Sequence, residues 1–248
     1  MLRTFIFPPE DTPWGRVMSY VRPIVAALVI AGLFRTFLYD PYRIPSPSML
    51  PNLLIGDALF ISRFAYGIHV PLTNRILAPT DPQPGDIVVF KKDLGLGQGP
   101  TNYIKRVVAG PGDRVSYRDK TLYVNGRAVQ QQRLTETFDF AQASQTVSAR
   151  VWQETLPNGV VHTLLKDPAQ PAFDLPETTI PADQFIVLGD NRDHSLDTRF
   201  WNYPQWSYVD RQDIKGRAEI IYWSWDEHFV PRFDRLLQSL RATPPAHD

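Results

Sequence analysis

The chain has 248 residues, 43% of them hydrophobic, which is enough for one main core and an appendage. Its 26 basic and 26 acidic side chains cancel, so no net field favours nucleic acid, and the absence of cysteine excludes disulfide frameworks, thiolate metal sites and cysteine nucleophiles. The 14 glycines and 23 prolines favour a turn-rich, mainly β architecture over long helices.

An apolar segment near the N-terminus, Pro23–Tyr39, carries a single charge, Arg35. Its 17 residues are at the short limit for a helix that crosses a bilayer, and a buried core helix is the alternative at this length. Tyrosines flank the apolar run at Tyr20 and Tyr39, and no small-residue cleavage site follows it. We therefore predict a retained transmembrane anchor at residues 23–39.

Arginines on the two sides of this segment give a weak signal for its orientation. Three of them precede the charge-free run Pro23–Phe34 and two follow it: Arg3, Arg16 and Arg22, then Arg35 and Arg43. Basic residues are enriched on the cytoplasmic side of membrane spans. The bias predicts that residues 1–22 are a cytoplasmic segment and that the chain from Asp40 onward lies on the opposite side.

From Asp40 onward, short runs of β-branched and aromatic residues alternate with turn residues, which is typical of antiparallel strands. Strands are predicted at Asp57–Phe64, Asp86–Lys91, Asn102–Val108, Gln184–Leu188 and Ala218–Trp223. Two further segments, Leu122–Val129 and Leu156–Leu165, each contain an Asn-Gly pair, a strong signal for a tight hairpin turn.

A polar section rich in glutamine and threonine, about residues 116–183, interrupts the predicted strands. It contains both hairpins and no motif that indicates chemistry, so we predict an inserted β subdomain there. The main β domain then consists of residues 40–115 and 184–240. Residues 241–248 are predicted to form a frayed tail.

The first segment that indicates chemistry is Ile44–Leu53, with the sequence IPSPSMLPNL. Its three prolines fix φ angles and remove amide donors, so Ser46 and Ser48 lie on a stiff, non-helical loop. A rigid loop suits a nucleophile. The alternative is a proline-rich linker that leaves a membrane anchor.

The second segment, Tyr103–Val108, places a lysine next to an arginine within a predicted strand. Lys105 and Arg106 point to opposite faces, and their neighbours make both faces largely apolar, so we expect one cation to meet the interior. A buried lysine loses its proton readily, whereas arginine keeps its charge, which makes Lys105 a candidate general base. The alternative is a lysine whose stem follows the strand and whose ammonium reaches solvent.

The third segment, Gly189–Arg199, has the sequence GDNRDHSLDTR directly after a predicted strand, a density of polar groups that indicates a loop supporting a site. Its three aspartates, Asp190, Asp193 and Asp197, are oxygen donors but lack the spacing of a calcium loop. His194 would suit a Ser-His-Asp triad with Ser48, but no Gly-x-Ser-x-Gly elbow is present.

Together these motifs resemble the bacterial type I signal peptidases, also called leader peptidases, which are membrane-anchored serine proteases with a Ser/Lys dyad. The similar boxes cover about a third of the chain in the family's order. They are Phe34–Pro41, Ile44–Pro51, Gly56-Asp57, Gly85–Phe90, Tyr103–Val108, Gly110–Asp113 and Gly189–Arg199. After Arg199 the family's usual pattern is altered, which leaves the contacts of that loop open.

The resemblance implies a mainly β, signal-peptidase-like antiparallel catalytic domain and a role for each matched residue. Ser48 is the nucleophile and Lys105 the general base, while the Ser46 hydroxyl and the Ser48 amide form the oxyanion site. Ser195 orients the lysine. Asp197 and Arg199 form a supporting ion pair. The substrate pocket, which accepts small side chains, is formed by Ile44, Met49, Leu53, Tyr103 and Ile104.

The resemblance also implies an endopeptidase that removes N-terminal signal peptides from exported preproteins after an Ala-x-Ala-like motif. Its partners are signal peptides and the lipid bilayer, without nucleic acid, cofactor or metal. Its location is the bacterial inner (cytoplasmic) membrane, single-pass, with the catalytic domain on the periplasmic or extracytoplasmic side. We expect an aromatic face to enter the membrane interface, formed by Phe60, Phe64, Tyr66, Trp201 and Trp206.

Two other readings of the residues remain open. One is a membrane-anchored β binding module without catalysis, which requires Lys105 to be exposed and remote from Ser48. The other is a Ser/Lys hydrolase of different purpose, such as a self-cleaving regulator or a processor of one conjugation protein.

Overall fold

The computed structural model describes residues 12–37, 39–69, 76–95, 97, 99–143 and 145–242. Near its start is helix α1, Pro13–Phe37. Thr12 caps this helix, since its Oγ1 accepts a hydrogen bond from the Gly15 amide at 2.9 Å, and a proline in the first turn has no amide that needs an intrahelical partner.

The helix does not coincide with the predicted anchor, Pro23–Tyr39. It begins ten residues earlier, at Pro13, and Tyr39 belongs to the following strand. In the described part of the chain, no helix is both long and apolar enough to cross a membrane. Residue 38 and half of the predicted cytoplasmic segment, residues 1–11, lie outside the described residues, so the anchor and its orientation stay predictions.

The described residues after α1 are dominated by antiparallel strands. In chain order these are β1 (Tyr39–Arg43), β2 (Asp57–Ser62), β3 (Ile68–His69), β4 (Ile76–Leu77), β5 (Ile87–Lys92), β6 (Thr101–Ala109), β7 (Arg114–Arg118), β8 (Thr121–Val124), β9 (Arg127–Ala128), β10 (Gln130–Gln142), β11 (Gln145–Thr155), β12 (Val161–Lys166), β13 (Leu175–Thr179), β14 (Gln184–Leu188), β15 (Val209–Asp210) and β16 (Ile214–Ser224). The mainly β expectation is confirmed.

Seven of these strands form the main sheet, in the order β1–β2–β16–β5–β6–β14–β15. A four-stranded sheet has the order β13–β7–β8–β9, a three-stranded sheet has the order β10–β11–β12, and β3 pairs with β4. All five strands predicted outside the hairpins are present as β2, β5, β6, β14 and β16. The largest differences are at β2, which ends at Ser62 instead of Phe64, and β16, which begins at Ile214 instead of Ala218.

Strand β5 shows why the main sheet is buried on both faces. Its side chains alternate between two clusters, with Ile87 and Val89 in one and Val88 and Phe90 in the other. Alternate residues of a strand point to opposite faces, so both faces of β5 are covered by apolar side chains. The neighbouring strand β6 therefore has a buried environment on either side.

The two predicted hairpins differ in their turns. Asn125 and Gly126, with φ of 53° and 79°, form the tight turn between β8 and β9, as predicted. At Leu156–Leu165 the predicted two-residue Asn-Gly turn is wrong. The strand β11 ends at Thr155 and β12 begins only at Val161, so five residues connect them. Pro157 favours the second position of a type I turn, and the amide of Gly159 donates to the carbonyl of Leu156 at 2.8 Å, which gives a wider loop.

The polar section, residues 116–183, supplies the three-stranded sheet and most of the four-stranded sheet, and it shares apolar core with the main sheet. Tyr117 and Leu122 belong to the same buried cluster as Val108 and Leu188. Residues 41–248 form one compact unit. The domain boundaries drawn from the sequence stay a prediction.

The expected aromatic face is wrong for two of its members. Tyr66 and Trp206 are only 6% and 4% exposed and lie in different buried clusters. Aromatic residues suit a core and an interface equally, so composition alone did not separate the two.

In the predicted tail, Arg241 pairs with Glu219, and residues 243–248 lie outside the described residues.

We expect Gly56→Ala to destabilise the protein more than Gly126→Ala. Both glycines have positive φ, 94° and 79°, so both substitutions introduce backbone strain. A Cβ on Gly56 would lie 2.1 Å from the carbonyl oxygen of Trp225, whereas one on Gly126 would meet no atom within 4 Å. The Gly56 variant should lose about 1–3 kcal/mol more free energy of unfolding in urea denaturation. Equal losses would show that the segment at Trp225 moves aside without cost.

Candidate active site

The loop that carries Ser46 and Ser48 connects β1 to β2. Pro47–Met49 form a single 3-10 turn, closed by a hydrogen bond from the Leu50 amide to the Pro47 carbonyl at 3.1 Å. The flanking residue Ser46 is extended, with φ of −138° and ψ of 157°. Ser48 is buried in this turn, whereas the sequence predicts a stiff, non-helical loop and does not predict burial.

Lys105 reaches this loop from β6, the strand between β5 and β14 in the main sheet. Its side chain is buried, at 3% exposure, and its Nζ donates hydrogen bonds to Ser48 Oγ at 2.7 Å and to the Ile104 carbonyl at 2.9 Å. Two residues 57 positions apart in sequence are thus in direct contact. The binding-module alternative, which needs an exposed and remote Lys105, is not supported.

Burial lowers the pKa of Lys105 from 10.5 to about 8. Desolvation of the ammonium is the largest cause and Arg199 adds to it, while the carboxylates of Asp197 and Asp190 oppose it. A lysine with this pKa is partly neutral near physiological pH. It can then accept the proton of the hydroxyl it contacts.

Both cations of β6 are buried, which corrects the expectation that only one meets the interior. Arg106 donates from Nε and Nη2 to the Asp190 carboxylate at 2.8 and 2.7 Å, and from Nη1 to the Gly85 carbonyl at 2.8 Å. Apolar side chains cover both faces of the sheet, so the burial of each cation must be compensated in its own way. Arg106 keeps its charge beside a carboxylate, whereas Lys105 has its pKa lowered.

A second buried ion pair, Asp197–Arg199, organises the loop after β14. Both residues have 0% exposure, and Arg199 Nε and Nη2 donate to the two carboxylate oxygens at 2.9 and 2.7 Å. Burial tends to raise the pKa of Asp197, but the pairing with Arg199 lowers it overall, so the carboxylate stays ionised. The same carboxylate accepts the Gly189 amide at 3.0 Å and thereby fixes the start of the loop.

Ser195 lies at the centre of this loop, against Gly189 and the serine loop. A Cβ on Gly189 would lie 2.2 Å from Ser195 Oγ and 2.5 Å from the Ser48 carbonyl oxygen, so only glycine fits there. Among the described residues, Lys105 Nζ donates to Ser48 and Ile104, and no hydrogen bond joins it to Ser195. The lysine-orienting role of Ser195 stays a prediction.

The Ser46 hydroxyl lies 3.4 Å from Ser48 Oγ, longer than a usual O–H···O hydrogen bond. Of the predicted pocket residues, one buried cluster contains Ile44, Met49, Leu53 and Ile104. Tyr103 lies in another cluster, where its ring contacts Phe90 and Trp201. The structure thus brings four of the five pocket residues together.

The alternatives weighed for the third segment do not fit the contacts. His194 Nε2 lies 2.9 Å from Asp167 Oδ2, and no hydrogen bond joins it to Ser48 in the part of the chain that the structure describes. The three aspartates pair with three different cations. These pairs are Asp190 with Arg106, Asp193 with Lys120 and Asp197 with Arg199.

Sequence analysis missed two residues that hold the serine loop. The Asn191 amide donates to the Ser48 carbonyl at 3.1 Å, and Asn52 Nδ2 donates to Asp190 Oδ2 at 2.8 Å. The polar segment Gly189–Arg199, which contains Asn191, predicts a loop that supports a site but no role for Asn191 itself. No local pattern singled out Asn52.

The family match and the similar proteins with known names all point to one family. The family described as signal peptidase, peptidase S26, matches residues 17–223. Signal peptidase I of Pseudomonas aeruginosa is 35% identical over 231 residues, 89% of this chain and 78% of the relative. Signal peptidase I of Haemophilus influenzae is 30% identical over 277 residues, 92% of this chain and 77% of the relative. A solved signal peptidase I structure from Enterococcus faecalis, 24% identical over 56% of this chain and 97% of its own, gives a TM-score of 0.32, too low to carry an argument.

The buried lysine makes stability depend on pH. The pKa of Lys105 is about 8 in the folded protein and ordinarily 10.5, so between these values the unfolded chain binds the additional proton and stability rises with pH. Below this window the folded protein carries the whole cost of a buried ammonium, roughly 3 kcal/mol at 1.36 kcal/mol per pKa unit. Lys105→Met should therefore be more stable than the wild type at neutral pH, and this advantage should disappear as the pH passes 10.5.

The measurement is the free energy of unfolding in urea at a series of pH values. Lys91→Met is the matched control, because Lys91 is exposed in β5 and its removal should leave the pH dependence unchanged. A constant difference between the Lys105 variant and the wild type across this window would contradict the burial argument.

Proposed function

Because the chain belongs to the signal peptidase family, peptidase S26, a family of serine peptidases, we propose that it removes signal peptides from exported preproteins with Ser48 and Lys105 as its catalytic dyad. The observation that supports this most directly is the 2.7 Å hydrogen bond from Lys105 Nζ to Ser48 Oγ. The low pKa of the buried lysine supports its role as the base.

In the proposed reaction, neutral Lys105 takes the proton of Ser48 as Oγ attacks the carbonyl carbon of the scissile peptide bond. The tetrahedral oxyanion accepts hydrogen bonds from the Ser48 amide and the Ser46 hydroxyl. The Lys105 ammonium then gives its proton to the leaving amine as the C–N bond breaks, and an acyl-enzyme remains. Lys105 next deprotonates a water, whose attack releases the signal peptide and restores Ser48.

The proposed supporting residues keep this lysine in place. Asp197 and Arg199 fix the loop that starts at Gly189, and Ser195 lies within it. We assign to Ser195 the role of orienting Lys105 once the substrate has bound, when catalytic hydrogen bonds tighten.

Specificity is proposed to follow from the shape of the pocket beside Ser48. Ile44, Met49, Leu53 and Ile104 form a buried apolar cluster, which favours small apolar side chains over large or charged ones. Tyr103 packs with Phe90 and Trp201 on the other face of β6, so the proposed pocket does not include it. Small residues at the first and third positions before the cut, as in Ala-x-Ala, fit this arrangement.

We propose that the chain is anchored in the bacterial inner membrane by its N-terminal segment, as a single-pass protein with a cytoplasmic N-terminus. Only nine residues separate Tyr39 from Ser48 in sequence. An anchor that ends near residue 39 would therefore keep the catalytic serine close to the membrane surface, where a signal peptide leaves the bilayer.

The dyad makes the two serines of the loop unequal, which tests the proposed function. Ser48→Ala should abolish turnover of a preprotein with an Ala-x-Ala site, together with covalent labelling by a serine-reactive lactam. Ser46→Ala should lose about 100- to 1,000-fold in turnover, as for an oxyanion donor, and Ser46→Thr, which keeps the hydroxyl, should lose much less. Lys105→Arg should be inactive because a guanidinium cannot act as a neutral base.

His194→Ala is the control for these variants, since the dyad needs no histidine and the Asp167 contact lies outside it. It should retain most of the activity. Retained turnover in Ser48→Ala or Lys105→Arg would exclude the dyad. An inactive Ser46→Ala beside an active Ser48→Ala would move the nucleophile by two residues.

The proposed topology is tested by protease added to intact spheroplasts. Residues from Asp40 to Asp248 should be digested, because the proposed catalytic domain is on the extracytoplasmic side. Permeabilised cells provide the control for the total digestible protein. Complete protection of this region in intact spheroplasts would contradict the topology.

A further inference from the structure

Asn52 lies four residues after Ser48 on the same loop, and its side-chain amide is fully used. Nδ2 donates to the Thr163 carbonyl at 2.7 Å and to Asp190 Oδ2 at 2.8 Å. Oδ1 accepts a hydrogen bond from Thr163 Oγ1 at 2.8 Å. The amide therefore joins three segments that are far apart in sequence: the serine loop, β12 and the loop after β14.

The loop after β14 holds the same stretch at its other end. The Asn191 amide donates to the Ser48 carbonyl at 3.1 Å, and Asn191 Nδ2 donates to the Pro47 carbonyl at 3.2 Å. Two adjacent residues, Asp190 and Asn191, thus hold the segment from Ser48 to Asn52 at both ends.

Strand β12 also hydrogen-bonds directly to the loop after β14, without Asn52. The Leu165 amide donates to the Asp190 carbonyl at 2.8 Å, and Leu165 and Asn191 form a parallel β-bridge. Thr163 and Leu165 are both on β12, so this strand, from the section with no recognisable motif, contacts the loops around the nucleophile.

The same network reaches the strand that carries the base. Asp190 accepts two hydrogen bonds from Arg106, the neighbour of Lys105 in β6. The position of Asp190 is therefore fixed relative to the lysine. Through Asp190, Asn52 fixes the serine loop relative to β6.

We propose that Asn52 is a positioning residue, which holds Ser48 at hydrogen-bond distance from Lys105 by fastening the serine loop to Thr163 of β12 and to Asp190. This inference rests on the proposed function. It makes β12 part of the catalytic support. The Asn52 side chain makes these hydrogen bonds and is not a member of the apolar pocket cluster. Its removal should therefore lower kcat and leave KM unchanged.

The first test is Asn52→Ala. A displacement of the serine by about 1 Å is enough to slow the reaction, so we expect kcat for a preprotein to fall roughly 10- to 100-fold while KM stays near the wild-type value. Thr163→Val preserves shape and removes only the hydroxyl that orients the amide. It should lose roughly 3- to 10-fold in kcat, again without a change in KM.

Asn158→Ala is the matched control. Asn158 also uses both amide atoms, donating to the Pro84 carbonyl at 2.7 Å and accepting from the Val160 amide at 3.3 Å, but it lies on an exposed turn and makes no hydrogen bond to the serine loop in the described residues. Its kcat should equal that of the wild type. Thermal denaturation identifies the variants that fold, and if Asn52→Ala does not fold, Thr163→Val decides.

The proposal is overturned if folded Asn52→Ala or, in its place, Thr163→Val keeps the wild-type kcat, or if the loss appears in KM alone. Ser48→Ala is measured in the same series to separate this inference from the proposed function. An inactive Ser48→Ala beside a fully active Asn52→Ala removes the positioning role only. An active Ser48→Ala removes the proposed function itself.

Discussion

The hydrogen bond between Lys105 and Ser48 places a lysine side chain out of water. The cost of burying its ammonium group is the constraint that the surrounding charged residues must meet. Desolvation lowers the pKa of a buried lysine, whereas nearby carboxylates raise it. The two carboxylates close enough to do so, Asp190 and Asp197, are each bound by an arginine, Arg106 and Arg199. The two guanidinium groups thus satisfy the carboxylates, and desolvation remains the largest influence on the lysine. Buried ion pairs of this kind can set the charge state of a neighbouring group even where their net stabilisation is small.

A third buried pair extends this support into the smaller sheets. Glu154 of β11 and Arg192 are both almost fully buried, and Gln131 Nε2 adds a hydrogen bond to Glu154 at 2.6 Å. Burial alone would raise the pKa of Glu154, but Arg192 lowers it, so the pair is ionised. Burial also lowers the pKa of the adjacent His162 to about 4, so this ring is neutral at physiological pH. Arg199 Nη2 donates to the Arg192 carbonyl at 2.6 Å, which connects this pair to the Asp197–Arg199 pair.

The mainly β architecture, the strands of the main sheet and the candidate residues Ser48 and Lys105 could be predicted because each leaves a local signal. Prolines around Ser48 indicate a stiff loop, and apolar neighbours around Lys105 indicate a buried strand. The contacts of Asn52 could not be predicted, since its partner Thr163 is 111 residues away and nothing in either segment encodes the pairing. The same holds for Arg106, whose partner Asp190 is 84 residues away. Sequence periodicity reports which face of a strand is buried but not which polar groups meet there.

The long hairpin of β10 and β11 has a different character at its two ends. Near Glu154 it is bound to Arg192 in the loop after β14, whereas at the opposite end Gln142 pairs with Gln145 and the flanking side chains are exposed. Excising residues 116–183 to make a minimal fragment would therefore remove Thr163 and Glu154, which bond to Asn52 and Arg192 in the loops around Ser48. The exposed positions Gln142 and Gln145, in contrast, are suitable places for an affinity tag or a fluorophore, because exposed ends of loops tolerate insertion.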